Sequence, residues 1–183
     1  YEELNDPILA FVPSYHGSFT SEKHDEKVCI RMQNLTAGCA RPCIMDIKMG
    51  IRTFVEAEVA KTEKRKDLAK KMADGGGKLT DDEVANGITK LQYMQFRERE
   101  SSTSTFGWRI EAIVMHGSEK TDGKKLKERA DLLQALRSYL NGRTDVGEAL
   151  LARLLALRSV LEASSFFRTH EFIGSSLLFV CVS

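Results

Sequence analysis

The order of the apolar and charged stretches is the feature of this chain that most limits its fold. Apolar stretches typical of strands occur at five places, namely 8–12, 28–32, 43–49, 108–115 and 172–182. Between the third and the fourth lies a highly charged run, 54–72, which favours a helix and which three glycines, Gly75–Gly77, bring to an end. Since strands come first, helices interrupt them and strands return, the sequence predicts a mixed α+β architecture.

Short local signals predict a hairpin near the start of the chain and a helix in its middle. Gly17 and Ser18 favour a turn in the polar segment 15–27, so the apolar stretches on either side of that segment are predicted to form a hairpin. Thr80, followed three residues later by Glu83, has the spacing of a capping box. A short helix is therefore predicted to begin there.

Two stronger helices are predicted in the second half of the chain, one over 126–140 and one from Asp145. The second has a buried leucine stripe, predicted to contain Leu150, Leu151, Leu154, Leu157 and Leu161. The apolar run 172–182 is predicted to be a buried strand, because crossing a bilayer takes about 20 residues and this run is shorter.

Charge and cysteine content exclude several classes of protein. The 27 basic and 26 acidic residues nearly cancel, so no global field would attract nucleic acid or an anionic membrane. The four cysteines have neither the density of a disulfide framework nor the spacing of a zinc site. No secretory leader is recognisable, so the composition predicts a reducing, cytoplasmic setting.

The stretch from Pro42 to Gly50 contains the residues with the clearest chemistry. On a strand, side chains two apart share a face, so Asp46 and Lys48 are predicted to point together while their neighbours face the packed side. A carboxylate beside an ammonium suits phosphoryl transfer, in which the protein positions the reactants and neutralises charge. Taken alone, this spacing is more typical of a surface ion pair on an edge strand.

The neighbouring residues favour the functional interpretation. The spacing Pro42-x-x-x-Asp46-x-Lys48-x-Gly50 resembles the signature of the inositol polyphosphate kinases. The segment from Lys48 to Thr53 is similar to the branch that phosphorylates inositol 1,4,5-trisphosphate at the 3-hydroxyl. Further similar blocks follow in the family's order: 93–97, 101–103, 107–111 and 166–178.

The resemblance implies a two-lobed inositol polyphosphate kinase fold, similar to protein kinases and ATP-grasp enzymes, with an α-helical inositide-binding insert. Residues 1–53 would then form part of the nucleotide lobe and the start of the second lobe, 54–106 the insert, and 107–183 the rest of the second lobe. The implied reaction uses ATP and Mg²⁺ to convert inositol 1,4,5-trisphosphate into inositol 1,3,4,5-tetrakisphosphate.

The resemblance also implies the roles of individual residues. The hinge that holds the adenine would fall at Gln33, Asn34 and Leu35, and Asp46 would contact the nucleotide, through its ribose. Lys48 would reach the substrate phosphate and the reacting hydroxyl, which makes Asp46 and Lys48 the catalytic pair. Further substrate-binding candidates are Arg65, Lys66, Lys90, Tyr93 and Arg97. Without the resemblance, the basic residues of 61–71 are more typical of a solvated helix face.

The family's insert also contains a calmodulin-binding helix, so calmodulin is a candidate partner, with Leu68 and Met72 as apolar anchors.

Three departures from the family pattern stand out. The glycine-rich strands expected before Tyr1 and the Asp-Phe-Gly-like segment that holds the metal, expected after the last strand, are missing. Val114 stands where a lysine is expected, and Lys120 is a candidate replacement. The chain alone is therefore predicted to be inactive, and a non-catalytic inositide-binding or calmodulin-binding module and a multikinase remain the alternatives.

Overall fold

The computed structural model describes residues 5–22 and 26–182, and it confirms the predicted α+β class. A short 3₁₀ helix, Pro7–Phe11, comes first. The strands are β1 Tyr15–Ser21, β2 Lys27–Met32, β3 Pro42–Met49, β4 Lys64–Arg65, β5 Ile88–Thr89, β6 Trp108–Val114, β7 Thr121–Asp122 and β8 Ser176–Val182. The helices are α1 Glu56–Val59, α2 Lys66–Asp74, α3 Asp81–Asn86, α4 Lys90–Arg99, α5 Thr103–Phe106, α6 Arg129–Leu140, α7 Thr144–Ala163 and α8 Ser165–Thr169.

Two compact units make up the chain. The first unit contains Tyr1–Pro42, Arg143–Glu171 and Val180–Ser183. The second unit contains Cys43–Gly142 and Phe172–Phe179. All of the predicted catalytic and substrate-binding residues belong to the second unit, whereas the predicted hinge belongs to the first. The division into 1–53, 54–106 and 107–183 stays a prediction.

The hairpin of the first unit is formed by β1 and β2, so the prediction that 8–12 provides a strand is wrong. Pro7 lies in the first turn of the 3₁₀ helix, and the Asp6 carboxylate accepts a hydrogen bond from the Ile8 N–H at 3.0 Å. The fixed φ of proline and an aspartate cap both favour a helical start. The first strand of the hairpin comes instead from the polar segment, where Phe19 pairs with Cys29.

The helix predicted from Asp145 is confirmed as α7, which belongs to the first unit, but none of its residues is buried. The prediction of a buried leucine stripe is therefore wrong: Leu151 is 58% exposed, and the other four leucines are half-buried. The helix packs on the 3₁₀ helix, where the Arg153 guanidinium lies 5.4 Å from the centre of the Phe11 ring. A leucine pattern shows which helix face is apolar, but not whether another element covers it.

The second unit is built on a sheet with the strand order β7-β6-β3-β8. On β3, the buried residues Cys43, Met45 and Ile47 alternate with half-buried ones, as predicted for a strand with one packed face. Ile113 and Ile110 of β6 lie opposite Met45 and Ile47 and complete this core. The edge strand β8 confirms a strand within 172–182, but its residues are half-buried or exposed, so the prediction of burial is wrong.

The charged run 54–72 is not one helix, contrary to the prediction. It forms α1, the two-residue strand β4 and α2, because β4 pairs with β5 from a distant part of the sequence. Gly87, at φ +88°, allows the close approach: a Cβ there would lie 2.5 Å from the Arg65 carbonyl carbon. A small core of Leu68, Ala69 and Ile88 then joins α2 to β5.

The predicted capping box is confirmed at the start of α3. Thr80 Oγ1 accepts a hydrogen bond from the Glu83 N–H at 3.3 Å, and a Glu83 carboxylate oxygen accepts one from the Thr80 N–H at 2.9 Å. The helix therefore begins where the sequence predicts.

A single carboxylate ties α4 to the segment that follows the Asp46–Lys48 strand. Glu98 Oε1 accepts hydrogen bonds from the Thr53 N–H at 2.7 Å and from Thr53 Oγ1 at 2.8 Å. Substitution Glu98→Ala leaves two donors without their acceptor, so we expect the free energy of unfolding to fall by about 1–3 kcal/mol. Urea denaturation measures this change, with Arg99→Ala on the exposed face of the same helix as the control. Equal stabilities for the two variants would show that the contact contributes nothing.

Candidate active site

Asp46 and Lys48 lie on β3, a strand with hydrogen-bonded neighbours on both sides. Both residues are half-buried. Met45, which precedes Asp46, is 0% exposed, and Ile47, which lies between Asp46 and Lys48, is 5% exposed. Because the alternation is regular at these positions, the two polar residues occupy the sheet face opposite the core. The predicted placement of a carboxylate and an ammonium on one face is therefore confirmed as local geometry; their catalytic role stays a prediction.

The Lys48 ammonium is held by the backbone that leads into β8. Its Nζ donates a hydrogen bond to the Gly174 carbonyl at 2.9 Å, and the next residue along β3, Met49, donates its N–H to the Ser175 carbonyl at 3.0 Å. Gly174 has φ +69°, in the left-handed region that favours glycine. A neutral carbonyl neutralises no charge, so the ammonium remains available to an anion.

The Asp46 carboxylate has one buried oxygen without a partner. Its Oδ1 atom is buried, and within the described residues no hydrogen bond reaches it. An unsatisfied buried acceptor costs about 1–3 kcal/mol, so such groups in a stable fold call for an explanation. An acceptor in this position suits a hydroxyl donor, such as the ribose of a nucleotide.

A β-bulge lies directly across from Asp46. Asp46 is paired with Ala112 and Ile47 with Ile110, so Glu111 is an extra residue in β6 that falls between the two pairs. A bulge interrupts the alternation of side chains and re-aims the extra one. This placement makes Glu111 available to side chains outside the sheet.

The Glu111 carboxylate is the centre of a cluster of three cations. It lies 3.1 Å from Arg109 Nε, 3.4 Å from Arg97 Nη2 and 3.7 Å from Lys124 Nζ. Arg109 is 5% exposed and also donates to Thr103 Oγ1 at 3.1 Å. Asp122 Oδ2 also lies 3.4 Å from Lys124 Nζ, so two carboxylates face three cations and one positive charge is left in excess.

A surface pocket of about 170 Å³, here called the Arg97 pocket, lies beside this cluster. Tyr93 and Arg97 of α4 both line it, and their role in substrate binding stays a prediction. Four cationic and two acidic side chains face it, namely Lys71, Arg97, Lys124 and Lys125 against Glu100 and Asp122. Such a composition suits an anion, because each phosphate can accept several charge-assisted hydrogen bonds.

The other predicted substrate-binding residues do not line the Arg97 pocket. The Arg65 guanidinium makes a bidentate contact with Asp67, at 3.0 and 2.7 Å, and this contact lowers the pKa of Asp67 and raises that of Arg65. The Lys90 ammonium binds Glu58 and thereby lowers the pKa of that carboxyl. Lys66 is the exposed first residue of α2.

The predicted hinge, 33–35, leads from β2 into a turn over 35–38 in the first unit. Asn34 Oδ1 accepts hydrogen bonds from the Thr36 N–H at 3.0 Å and the Thr36 hydroxyl at 2.8 Å. The Gln33 N–H donates to the Ser14 carbonyl at 2.8 Å, which fixes the turn to the start of the hairpin. The role of Gln33, Asn34 and Leu35 in adenine binding stays a prediction.

The helix predicted to bind calmodulin is packed into its own unit. Leu68 is 5% exposed, and Met72 packs against the core of Leu68, Ala69 and Ile88. The two predicted anchors are thus occupied within the fold.

In the parts of the chain that the structure describes, no group of three His, Cys, Asp or Glu residues has a metal-binding arrangement. Over the same residues, no helix has both the length and the hydropathy needed to span a bilayer.

Sequence reasoning missed Glu111 and Lys124. Nothing local shows that Glu111 is a bulge residue, since the bulge arises from pairing with a strand more than sixty residues away in sequence. The run Asp122-Gly-Lys-Lys125 offers a weak signal, because a turn followed by two lysines presents cations at a fixed point. The candidate replacement for the absent lysine, Lys120, is exposed and does not line the Arg97 pocket.

Comparison with solved structures shows the class of fold. A crystal structure of an inositol phosphate multikinase from S. cerevisiae, in complex with ADP and Mn²⁺, is similar at a TM-score of 0.62 and 16% sequence identity. The similarity covers 96% of this chain and 66% of the other. The predicted inositol polyphosphate kinase fold is therefore confirmed.

Comparison of sequences shows the family. The model of the inositol polyphosphate kinase family matches residues 29–181. The chain is 41% identical to human inositol-trisphosphate 3-kinase B over 96% of its own length and 19% of that relative. It is also 41% identical to inositol-trisphosphate 3-kinase C of Mus musculus, over 97% of its length and 27% of that protein. The chain belongs to the inositol polyphosphate kinase family, as the resemblance predicted, and it spans less than a third of the length of these two relatives.

Proposed function

We propose that the whole protein containing this chain is an ATP-dependent kinase that phosphorylates inositol 1,4,5-trisphosphate at the 3-hydroxyl. The observation that carries the proposal is the placement of Asp46 and Lys48 together on the half-buried face of β3, where one Asp46 oxygen lacks a partner among the described residues. The identity of about 40% to inositol-trisphosphate 3-kinases supports the same substrate.

Lys48 acts in this proposal on the acceptor side of the reaction. Its ammonium leaves the Gly174 carbonyl and donates instead to a substrate phosphate and to the reacting hydroxyl. A cation at that point stabilises negative charge as it develops on the hydroxyl oxygen and on the migrating group. The contact to Gly174 keeps the side chain extended along the face before substrate binds.

Asp46 acts on the nucleotide side. A ribose hydroxyl of ATP would donate to the Asp46 carboxylate, whose Oδ1 atom has no hydrogen-bond partner among the described residues. Gln33, Asn34 and Leu35 would bind the adenine through their backbone. Mg²⁺, when bound with ATP, would offset the charge of the phosphates.

The trisphosphate would be bound by the cations of the second unit. Arg97 offers a planar guanidinium suited to bidentate contact with a phosphate, and Tyr93 offers a hydroxyl beside it. Arg65 and Lys90 would contribute further contacts after exchange of their present carboxylate partners, and the exposed Lys66 would contribute another. Calmodulin binding by α2 and a cytoplasmic location stay predictions; the first requires α2 to leave its packing on β5.

A kinase assay on the purified whole protein tests the proposal. With ATP, Mg²⁺ and inositol 1,4,5-trisphosphate, we expect one product, the 1,3,4,5-tetrakisphosphate, identified by chromatography and NMR. The 3-deoxy analogue lacks the acceptor hydroxyl and serves as the matched control, which must not be phosphorylated. Phosphate transfer to other hydroxyls would indicate a multikinase, and binding without turnover would indicate a non-catalytic module. Either result would contradict the proposal.

A further inference from the structure

One wall of the Arg97 pocket comes from the segment that follows β7. Lys124 and Lys125 line the pocket from this segment, beside Asp122. The Lys124 ammonium lies 3.4 Å from Asp122 Oδ2 and 3.7 Å from Glu111 Oε1, and the side chain is 30% exposed. Lys124 is therefore ion-paired with two carboxylates and still partly exposed to the solvent.

The backbone of this segment is fixed against the sheet. Gly123 packs so closely on Ile110 that a Cβ there would lie 2.5 Å from the isoleucine Cγ2 atom. The Lys124 N–H donates to Asp122 Oδ1 at 2.9 Å, and the Leu126 N–H donates to the Gly123 carbonyl at 3.0 Å. Because the backbone is held in this way, Lys124 loses little further freedom when it binds a ligand.

The charges around Lys124 favour an anion. Glu111 is shared by Lys124, Arg97 and Arg109, and Lys124 also contacts Asp122, so two carboxylates face three cations. Partial burial would raise the pKa of Asp122, but the Lys124 N–H, the Lys124 ammonium and Arg97 outweigh it and lower that pKa. The same positive field that stabilises the Asp122 carboxylate would stabilise a phosphate placed in the pocket.

We propose that Lys124 is a phosphate-binding residue of the substrate site, paired with Arg97 across the Arg97 pocket and positioned there by Glu111. This inference rests on the proposed function, because the ligand that Lys124 binds is the inositol phosphate substrate. The pocket volume, about 170 Å³, lies below the ~300–1,000 Å³ of most small-molecule sites. The pocket therefore receives one phosphate group, while the rest of the ligand lies outside it.

The test compares four lysine variants of the whole protein, at positions 124, 120 and 127, in a steady-state assay with inositol 1,4,5-trisphosphate. Lys124→Ala is expected to raise KM for the trisphosphate about tenfold at unchanged kcat, because it removes one charge-assisted hydrogen bond made equally before and during the reaction. Lys124→Arg keeps the charge and should restore most of the affinity. Lys127→Ala, three residues further along and exposed, is the matched control and should behave as wild type.

The salt dependence of KM and a direct measurement of binding provide two further tests. The increase of KM with ionic strength should be less steep in Lys124→Ala than in wild type, since one ionic contact is gone. An unchanged KM in Lys124→Ala, or a tenfold rise in Lys120→Ala instead, would overturn the inference and leave the proposed function standing. If the wild-type protein shows no turnover, the proposed function fails, and calorimetry with the trisphosphate decides separately whether Lys124→Ala weakens binding. Equal dissociation constants would then refute the role of Lys124.

Discussion

Lys48→Ala is expected to lower kcat of the whole protein about 10²–10³-fold, the usual cost of removing one preorganised donor from a charged transition state. The ammonium stands on the half-buried face of the central strand, and its present partner is the neutral Gly174 carbonyl. Its loss therefore removes charge stabilisation that no neighbouring contact provides in its place. Lys48→Arg should rescue poorly, because the guanidinium is larger and donates in a fixed plane.

A matched variant separates the loss of Lys48 from a general loss of positive charge. Lys70→Ala removes the same group from the exposed side of α2 and should leave kcat within a factor of two of wild type. Melting curves of both variants should lie close to wild type, because Lys48→Ala gives up one hydrogen bond, worth about 1 kcal/mol. If folded Lys48→Ala retains most of the turnover, the catalytic assignment is wrong.

Asp46→Ala is expected to change stability and nucleotide affinity in opposite directions. Without nucleotide, the buried Oδ1 atom is an acceptor without a donor, so its removal should raise the free energy of unfolding by about 1 kcal/mol. With nucleotide, the same substitution removes the proposed contact to the ribose and should weaken ATP binding at least about tenfold. ATP should then raise the melting temperature of wild type more than that of the variant.

The nucleotide 2′,3′-dideoxy-ATP is the control for the Asp46 prediction. It lacks the hydroxyls that would donate to Asp46, so wild type and Asp46→Ala should bind it with similar affinity. Calorimetry gives both dissociation constants, and thermal melting of the ligand-free proteins gives the stability difference. A variant that is less stable than wild type and binds ATP as well as wild type would show that Asp46 has a structural role.

The elements that the sequence predicted correctly are those encoded over a few residues. The alternation along β3 and the capping box of Thr80 and Glu83 depend on neighbours within the same element. The strand β4 was missed because it exists through its pairing with β5, more than twenty residues away. The burial of α7 and β8 was overestimated for a related reason: an apolar pattern does not show what covers it.

The residues of the candidate site likewise fall into a group that the sequence predicts and a group that it does not. The shared face of Asp46 and Lys48 follows from the two-residue period of a strand and could be predicted without a structure. Glu111 and Lys124 could not, because their meeting depends on a bulge in β6 and on the packing of Gly123 against Ile110. Long-range register of this kind has no signal in a single sequence.

The carboxylate partners of the candidate substrate cations bear on which anions can compete for the site. The ion pairs are Arg65 with Asp67, Lys90 with Glu58, and Arg97 with Glu111. A lone inorganic phosphate must displace a carboxylate for each contact it gains, so its net advantage is small. Phosphates joined on one ring displace the second and third carboxylates within a single complex, at a high effective concentration. If these cations bind the substrate as proposed, we expect free phosphate to compete poorly, with discrimination that increases with the number of phosphates on the ligand.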